Sequence, residues 1–222
     1  MTALDRSRFE KLAVGYLAGG QARRLGGIDK AFIEIGEQTI FERQRGVLAD
    51  IPVQILNANG DVTRFDATGL KVVPDTHQGH LGPLAGLLSL MEEVRSHYAQ
   101  ITHILSIATD APFIPDDMAE QLLAEQDKTG ADIVMAASFG RHHPVFALWP
   151  VMLADALESA LIEEGIRKID HFTARYHVEL VDFTPSDTAS QSQLACDPFM
   201  NINRPEDIAA AERLLSQAGA EE

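Results

Sequence analysis

One cysteine, Cys196, stands in 222 residues, so no disulfide can close within the chain, and a reducing compartment suits it. No stretch reaches the roughly 18 uninterrupted apolar residues of a membrane span, and the first ten residues have no apolar signal core. From these absences a cytoplasmic protein with no membrane contact is expected. Positive charge is also scarce: 18 Lys and Arg face 33 Asp and Glu, a formal net charge of −15. Such a field excludes broad nucleic-acid binding. A small anionic ligand would have to be met by local donors and a metal. Several familiar signatures are missing: the G-x-x-x-x-G-K-[ST] P-loop, the G-x-G-x-x-G dinucleotide loop, H-E-x-x-H and G-x-S-x-G. His77 and His80 lie three apart, and His142 and His143 are adjacent, but no cysteine sits nearby. A zinc site is therefore not expected.

What is present is enough apolar residue, 45%, for a sizeable core. Short apolar runs at 12–17, 53–57, 70–73, 101–108, 132–137, 145–149 and 178–183 read as buried strands. Between them lie helical patterns. Leu84, Leu87, Leu88, Met91 and Val94 repeat on one face behind Pro83, and further helices are expected at 118–128, 151–163 and 205–217. This alternation predicts an α/β fold, a three-layer sandwich with a mostly parallel sheet and helices on both faces. With no internal repeat and no linker, residues 1–222 read as one domain. Residues 184–197, rich in Ser, Thr, Asp and Gln, read as a mobile loop.

Four segments can carry chemistry. The first follows the first strand: Leu17, Ala18, Gly19 and Gly20, then Arg23, Arg24, Gly26, Gly27 and Lys30. Glycines let backbone amides approach phosphate oxygens, and the three cations can neutralise them. The bland alternative is a glycine-rich turn with solvated arginines. The second is Asp110, at the carboxyl end of a long apolar strand, where ligands of open α/β sheets bind. A carboxylate there suits Mg²⁺, a hard cation that keeps substrate phosphates as co-ligands; capping a turn is its ordinary role. The third is Asn57 and Asp75, each at a strand end, an amide and a carboxylate able to pair with the edge of a base such as guanine, although read alone both are ordinary loop residues. The fourth is Gly82 and Gly86 around the start of a helix, where backbone can approach a ligand closely, or else a plain turn and helix start.

In chain order, LAGGQARRLGGIDK, ILNAN, VVPD, GPLAG, ATDAPFIP, HPVFAL and FMNINRPED resemble the molybdenum cofactor guanylyltransferases, from about Val14 to Leu215. The first motif alone marks a broader nucleotidyltransferase superfamily; the combination is narrower. The resemblance implies a Rossmann-like nucleotidyltransferase fold that uses GTP and Mg²⁺. It would act on Mo-molybdopterin to form the guanine dinucleotide cofactor and pyrophosphate. Leu17, Ala18, Gly19 and Gly20 match the family's nucleotide loop, and Lys30 its phosphate-binding lysine. Asn57 and Asp75 match nucleotide-contacting positions, and Asp110 a position binding both GTP and Mg²⁺. Asn201 and Asn203 match an N-x-N near the pterin side, and His143 the HP step. Residues up to about 115 would bind nucleotide and the remainder the acceptor. Contact with molybdenum-insertion proteins and molybdoenzyme apoproteins is implied in the same way. Two departures stand out. Leu25 replaces a methionine at little cost. Arg204 stands where relatives have a small hydroxyl residue, and since arginine cannot accept an N-cap hydrogen bond, a weaker helix start is expected.

The expected chemistry is in-line displacement at the α-phosphorus of GTP by the acceptor's phosphate, which is already anionic. Asp110 would hold the metal, while Lys30, Arg24 and Arg23 stabilise charge. Removing the lysine charge should cost activity more than stability. Three rivals remain open: the same transfer from CTP, a sugar-1-phosphate nucleotidyltransferase, and a non-catalytic nucleotide-binding module. Arg167, Lys168 and Arg175 form a basic segment that is either an acceptor site or a solvated face.

Overall fold

The structure, a computed structural model, describes residues 8–19, 29–77, 79, 81–185 and 196–218. Residues 20–28, with Gly20, Arg23 and Arg24, and residues 186–195 of the expected mobile loop lie outside the described residues.

The chain opens on β1 (Leu12–Leu17). A small hairpin, β2 (Glu34–Ile35) with β3 (Gln38–Thr39), leads into α1 (Ile40–Val47). Then come β4 (Val53–Asn57) and β5 (Lys71–Val73), α2 (Pro83–His97), β6 (His103–Ala108) and α3 (Met118–Thr129). β7 (Ile133–Ser138) and β8 (Arg141–Pro150) form a hairpin. α4 (Ala154–Ile162), α5 (Ile169–Thr173), β9 (Val178–Asp182) and α6 (Pro205–Ala218) complete the order.

Seven strands form one sheet in the order β5-β4-β1-β6-β8-β7-β9. Every pairing is parallel except the two made by β8, so the expectation of a mostly parallel sheet holds. The reversal is local. Phe139 and Gly140 both have positive φ, 49° and 70°, the geometry of a two-residue turn whose twist matches its strands.

Both faces of the sheet are covered. Val14, Tyr16, Leu105 and Leu148 pack with Phe41 of α1 and Met118 and Leu122 of α3. On the other face Ala13, Ile104 and Trp149 meet Leu87, Leu90 and Met91 of α2, with Leu157 of α4 and Phe172 of α5. This two-sided burial is why the strands read as unbroken apolar runs. A third cluster joins Ile33, Ile35 and Ile40 to Ile202 and Ala211, tying α6 to the small hairpin.

The β2–β3 hairpin and α1 went beyond the sequence reading, and one expected helix is divided. α1 starts with a capping box, in which the Glu42 amide donates to the Thr39 hydroxyl and the Thr39 amide to the Glu42 carboxylate. The T-x-x-E spacing was a legible start signal. The region 151–163 divides into a 3₁₀ turn, Val151–Leu153, and α4.

The expected weakness at Arg204 is corrected. The Asp207 carboxylate accepts the amides of both Asn203 and Arg204, at 2.8 Å each, so the helix supplies its own cap from its first turn and places a negative charge where the helix dipole favours it. Asp207→Ala should therefore lower stability by about 1 kcal/mol, and Arg204→Ser should not. Urea unfolding midpoints of the two variants check this.

Candidate functional site

β1 is paired in parallel with β4 on one side and β6 on the other. The chain runs from β1 outward to β4 and β5, then returns to lay β6 on β1's other edge. Loops leaving β1 and β6 therefore diverge, and a crevice opens at their carboxyl ends. Leu17, Ala18 and Gly19 leave β1 there; Thr109 and Asp110 leave β6. The Ala18 amide donates to the Asn57 carbonyl at 2.9 Å, so the β1 exit is anchored to the end of β4. Gly19 is exposed, with nothing within 4 Å of where a Cβ would stand.

Lys30 begins a short 3₁₀ turn, Lys30–Phe32. Just before it, the Asp29 carboxylate is paired with Arg64, whose guanidinium lies 4.7 Å over the Phe65 ring. From this footing Lys30 Nζ reaches Asp110 Oδ2 at 2.9 Å and also donates to Asn203 Oδ1. The Ile202 amide donates to the Asp110 carbonyl at 2.8 Å. Three segments distant in sequence thus meet at Asp110. Its other oxygen, Oδ1, is buried and has no hydrogen-bond partner among the described residues. An acceptor oxygen left without a donor in this way suits a cation. The Lys30 side chain is only 17% exposed, so it is not the surface charge the sequence suggested. Removing it strips the cation from a mostly buried carboxylate, and stability should fall along with activity.

Asn57 and Asp75 also meet. Asn57, 3% exposed, donates from Nδ2 to the Val73 carbonyl at 3.0 Å and to Asp75 Oδ1 at 2.9 Å. Asn59, not singled out from sequence, completes the group: its amide nitrogen donates to Asp75 Oδ2, and its oxygen accepts the Asp75 backbone amide at 2.8 Å. Gly86 explains how α2 comes so close. A Cβ there would stand 2.3 Å from Asn57 Oδ1 and 2.9 Å from Leu17 Cδ2. Gly82 adopts φ 79°, ψ −170° at the N-cap, a conformation open to glycine.

Gln44 was another residue the sequence left unmarked. It is fully buried, and its Nε2 donates to the carbonyls of Ala108 and Ala111, at 2.8 Å each. It clamps both sides of the Asp110 turn from α1. A polar residue in an amphipathic helix gives no sign of facing inward until the loop it serves is placed.

His143 does not enter the Lys30–Asp110 cluster. Its Nε2 lies 2.7 Å from Ser138 Oγ, which lies 2.7 Å from Asp197 Oδ1. A serine has one proton to give, so His143 donates to Ser138 and Ser138 to Asp197. The ring stacks 4.6 Å from Phe199, and burial lowers its pKa below the ordinary histidine range. This relay anchors the segment that carries Ile202 and Asn203 back to Asp110. Asn201 is exposed. The basic segment is mostly engaged: Arg175 pairs with Glu164, and Arg167 donates to the Leu161 and Ile166 carbonyls. Burial, with Asp197 alongside, pushes the Cys196 thiol up to about 11.

A crevice at the switch point of a parallel sheet, with a lysine–aspartate pair and an amide–carboxylate pair at its rim, defines a nucleotidyltransferase of Rossmann-like architecture. The chain belongs to the MobA-like NTP transferase domain family, whose profile matches residues 15–178. It is 43% identical over 203 residues to a molybdenum cofactor guanylyltransferase of Rhizobium rhizogenes, covering 90% of each chain. It is 44% identical over 201 residues to the protein of that name from a Bradyrhizobium species, covering 90% of this chain and 91% of the other. Among solved structures it resembles molybdopterin-guanine dinucleotide biosynthesis protein A of Archaeoglobus fulgidus, with TM-score 0.70, 24% identity, and coverage of 92% and 99% of the two chains. The fold is shared more widely: 4-diphosphocytidyl-2C-methyl-D-erythritol synthase of Anaerococcus prevotii gives TM-score 0.68 at 13% identity, covering 95% and 98%.

Two helical glycines provide a matched test. Gly86→Ala forces Asn57 and Leu17 aside and should cost about 1–3 kcal/mol. Gly46→Ala in α1, where nothing lies within 4 Å, should add about 0.5–1 kcal/mol. Denaturant unfolding reads both. Alkylation of Cys196 should be slow at neutral pH, its rate still climbing tenfold per unit well past the range of a free thiol; a plateau near pH 9 would contradict the burial argument.

Proposed function

We propose that this chain transfers GMP from GTP to Mo-molybdopterin, forming the guanine dinucleotide cofactor and pyrophosphate. The observation that carries the reading is the Lys30–Asp110 pair at the switch point, with Asp110 Oδ1 buried and unpartnered among the described residues. An acid held by a lysine on one oxygen keeps the other for a cation, which is what binding a metal–triphosphate requires.

Asp110 would hold Mg²⁺, which when bound supplies charge neutralisation on the triphosphate. The chain's own residues do the rest. The backbone of Leu17, Ala18, Gly19 and Gly20 cradles the phosphates. Lys30 is placed to leave Asp110 or Asn203 for a phosphate oxygen, and Arg23 and Arg24 add charge on the transferring and leaving groups. Asn57, Asp75 and the Gly82 turn line the nucleoside end, where Asp75 accepts from guanine N–H groups. An oxygen of the acceptor's phosphate attacks the α-phosphorus; the α–β bridging bond breaks and pyrophosphate leaves. The nucleophile is already an anion, so positioning and charge neutralisation carry the catalysis. The chain acts as one domain, with residues to about 115 on the nucleotide and the remainder, including Asn201 and Asn203, on the acceptor. Among the described residues no helix is long and apolar enough to cross a membrane, in keeping with a cytoplasmic enzyme that hands its product to molybdenum-insertion proteins or molybdoenzyme apoproteins.

Pyrophosphate release, measured with Mg²⁺ and Mo-molybdopterin, should occur with GTP and not with CTP. Asp110→Asn should lower it on the order of 10²–10³ fold while nucleotide-free folding persists. Release with CTP instead would reassign the base; nucleotide binding without release from either would replace catalysis with a binding role.

A further inference from the structure

Among the described residues, one group of three possible metal ligands comes together away from Asp110: His77, Glu92 and Glu158. His77 lies in the loop after β5, Glu92 on α2 and Glu158 on α4. One ligand atom from each lies within 4.8 Å of the others. No local pattern in the chain relates these three residues. His77 was set aside because no cysteine sits nearby, and its two carboxylate neighbours are 15 and 81 positions away.

The group does not behave as a satisfied ion pair. His77 Nε2 is 3.3 Å from Glu158 Oε1, yet the atom is buried and makes no hydrogen bond with any described residue. It is near the carboxylate but not aimed at it as a donor. Glu92 is held from the other side, the Thr76 hydroxyl donating to its Oε2 at 2.6 Å. That hydrogen bond orients the carboxylate as outer-shell partners orient metal ligands. Arg95, whose charged form both glutamates favour, is paired with Asp155 instead.

We infer that His77, Glu92 and Glu158 form a second divalent-cation site, selective for zinc-class ions over Mg²⁺. An imidazole nitrogen with two carboxylate oxygens suits Zn²⁺, whereas Mg²⁺ and Ca²⁺ prefer all-oxygen shells. Bonds of about 2.0–2.2 Å put tetrahedral ligand atoms about 3.4 Å apart. The His77–Glu158 separation already meets that, and the widest separation needs a contraction that side-chain rotation can supply. Three protein ligands leave a fourth position for water. The ion would staple the loop that begins at Asp75 to α2 and α4, and so brace the carboxylate placed at the nucleoside end of the crevice.

The test is competition between the full-length protein and a chromophoric chelator for Zn²⁺, with no nucleotide present, monitored alongside circular dichroism. The wild-type chain should bind one Zn²⁺ at this site, and Asp110→Ala should keep it. His77→Ala should weaken binding at least tenfold, and so should Glu158→Gln, a substitution at a half-exposed helix position that leaves packing intact. Excess Mg²⁺ should not displace the ion. No Zn²⁺ uptake by the wild type, full affinity in folded Glu158→Gln, or loss of the ion in Asp110→Ala would each overturn the proposal.

Discussion

The parallel pairing of β1 with strands on both edges is the constraint from which the rest follows. Parallel neighbours cannot be joined by a tight turn, so each connection must cross a face of the sheet. Crossing in one direction to β4 and β5, and then in the other to β6, splits the loops at β1's carboxyl end. Leu17–Ala18–Gly19 and Thr109–Asp110 are brought to the same crevice by that split and by nothing local to either segment. The backbone bonds from Ala18 to Asn57 and from Thr109 to Leu17 then hold the two exits and the end of β4 in register.

Asp110 is positioned from three directions. Gln44 clamps its turn from α1, Ile202 holds its carbonyl, and Lys30 takes one carboxylate oxygen. The supports rest on supports in turn. Arg64 steadies Asp29 beside Lys30, and the His143–Ser138–Asp197 relay with Phe199 steadies the segment bearing Ile202 and Asn203. The orientation of this carboxylate is therefore already set by the protein itself. The second rim, built from Asn57, Asn59 and Asp75, uses the same economy. Amide donors occupy the carboxylate from within the protein and hold its plane, and Gly86 permits the helix to close over them.

The acidity of the chain fits this arrangement. A protein with 33 acidic and 18 basic residues cannot draw in a triphosphate by its overall field. It must rely on local donors, and Lys30, held on Asp110, is one such cation at the strand ends.

Much of the architecture was legible in the order of residues. The strands at 12–17 and 53–57 appear with those bounds, since burial on both faces makes a parallel strand an unbroken apolar run. Others moved by a few residues because backbone pairing, unlike apolarity, continues to the end of the neighbouring strand; β8 runs from Arg141 to Pro150 for that reason. α1 was missed, its mean character being polar, although its capping box was written in Thr39 and Glu42. Lys30, Asp110, Asn57 and Asp75 stand out in the sequence by type, by place at strand ends and by family resemblance, and the structure pairs Lys30 with Asp110 and Asn57 with Asp75. What the sequence by itself determined was therefore the local periodicity, the caps and the chemistry available. Only the tertiary structure decided which groups meet: that Lys30 binds Asp110 across 80 positions, that Gln44 faces inward, that Asp207 replaces the missing cap, and that His77 finds two glutamates. Those contacts depend on the crossover of strands and the packing of helices, which join positions that no local pattern relates.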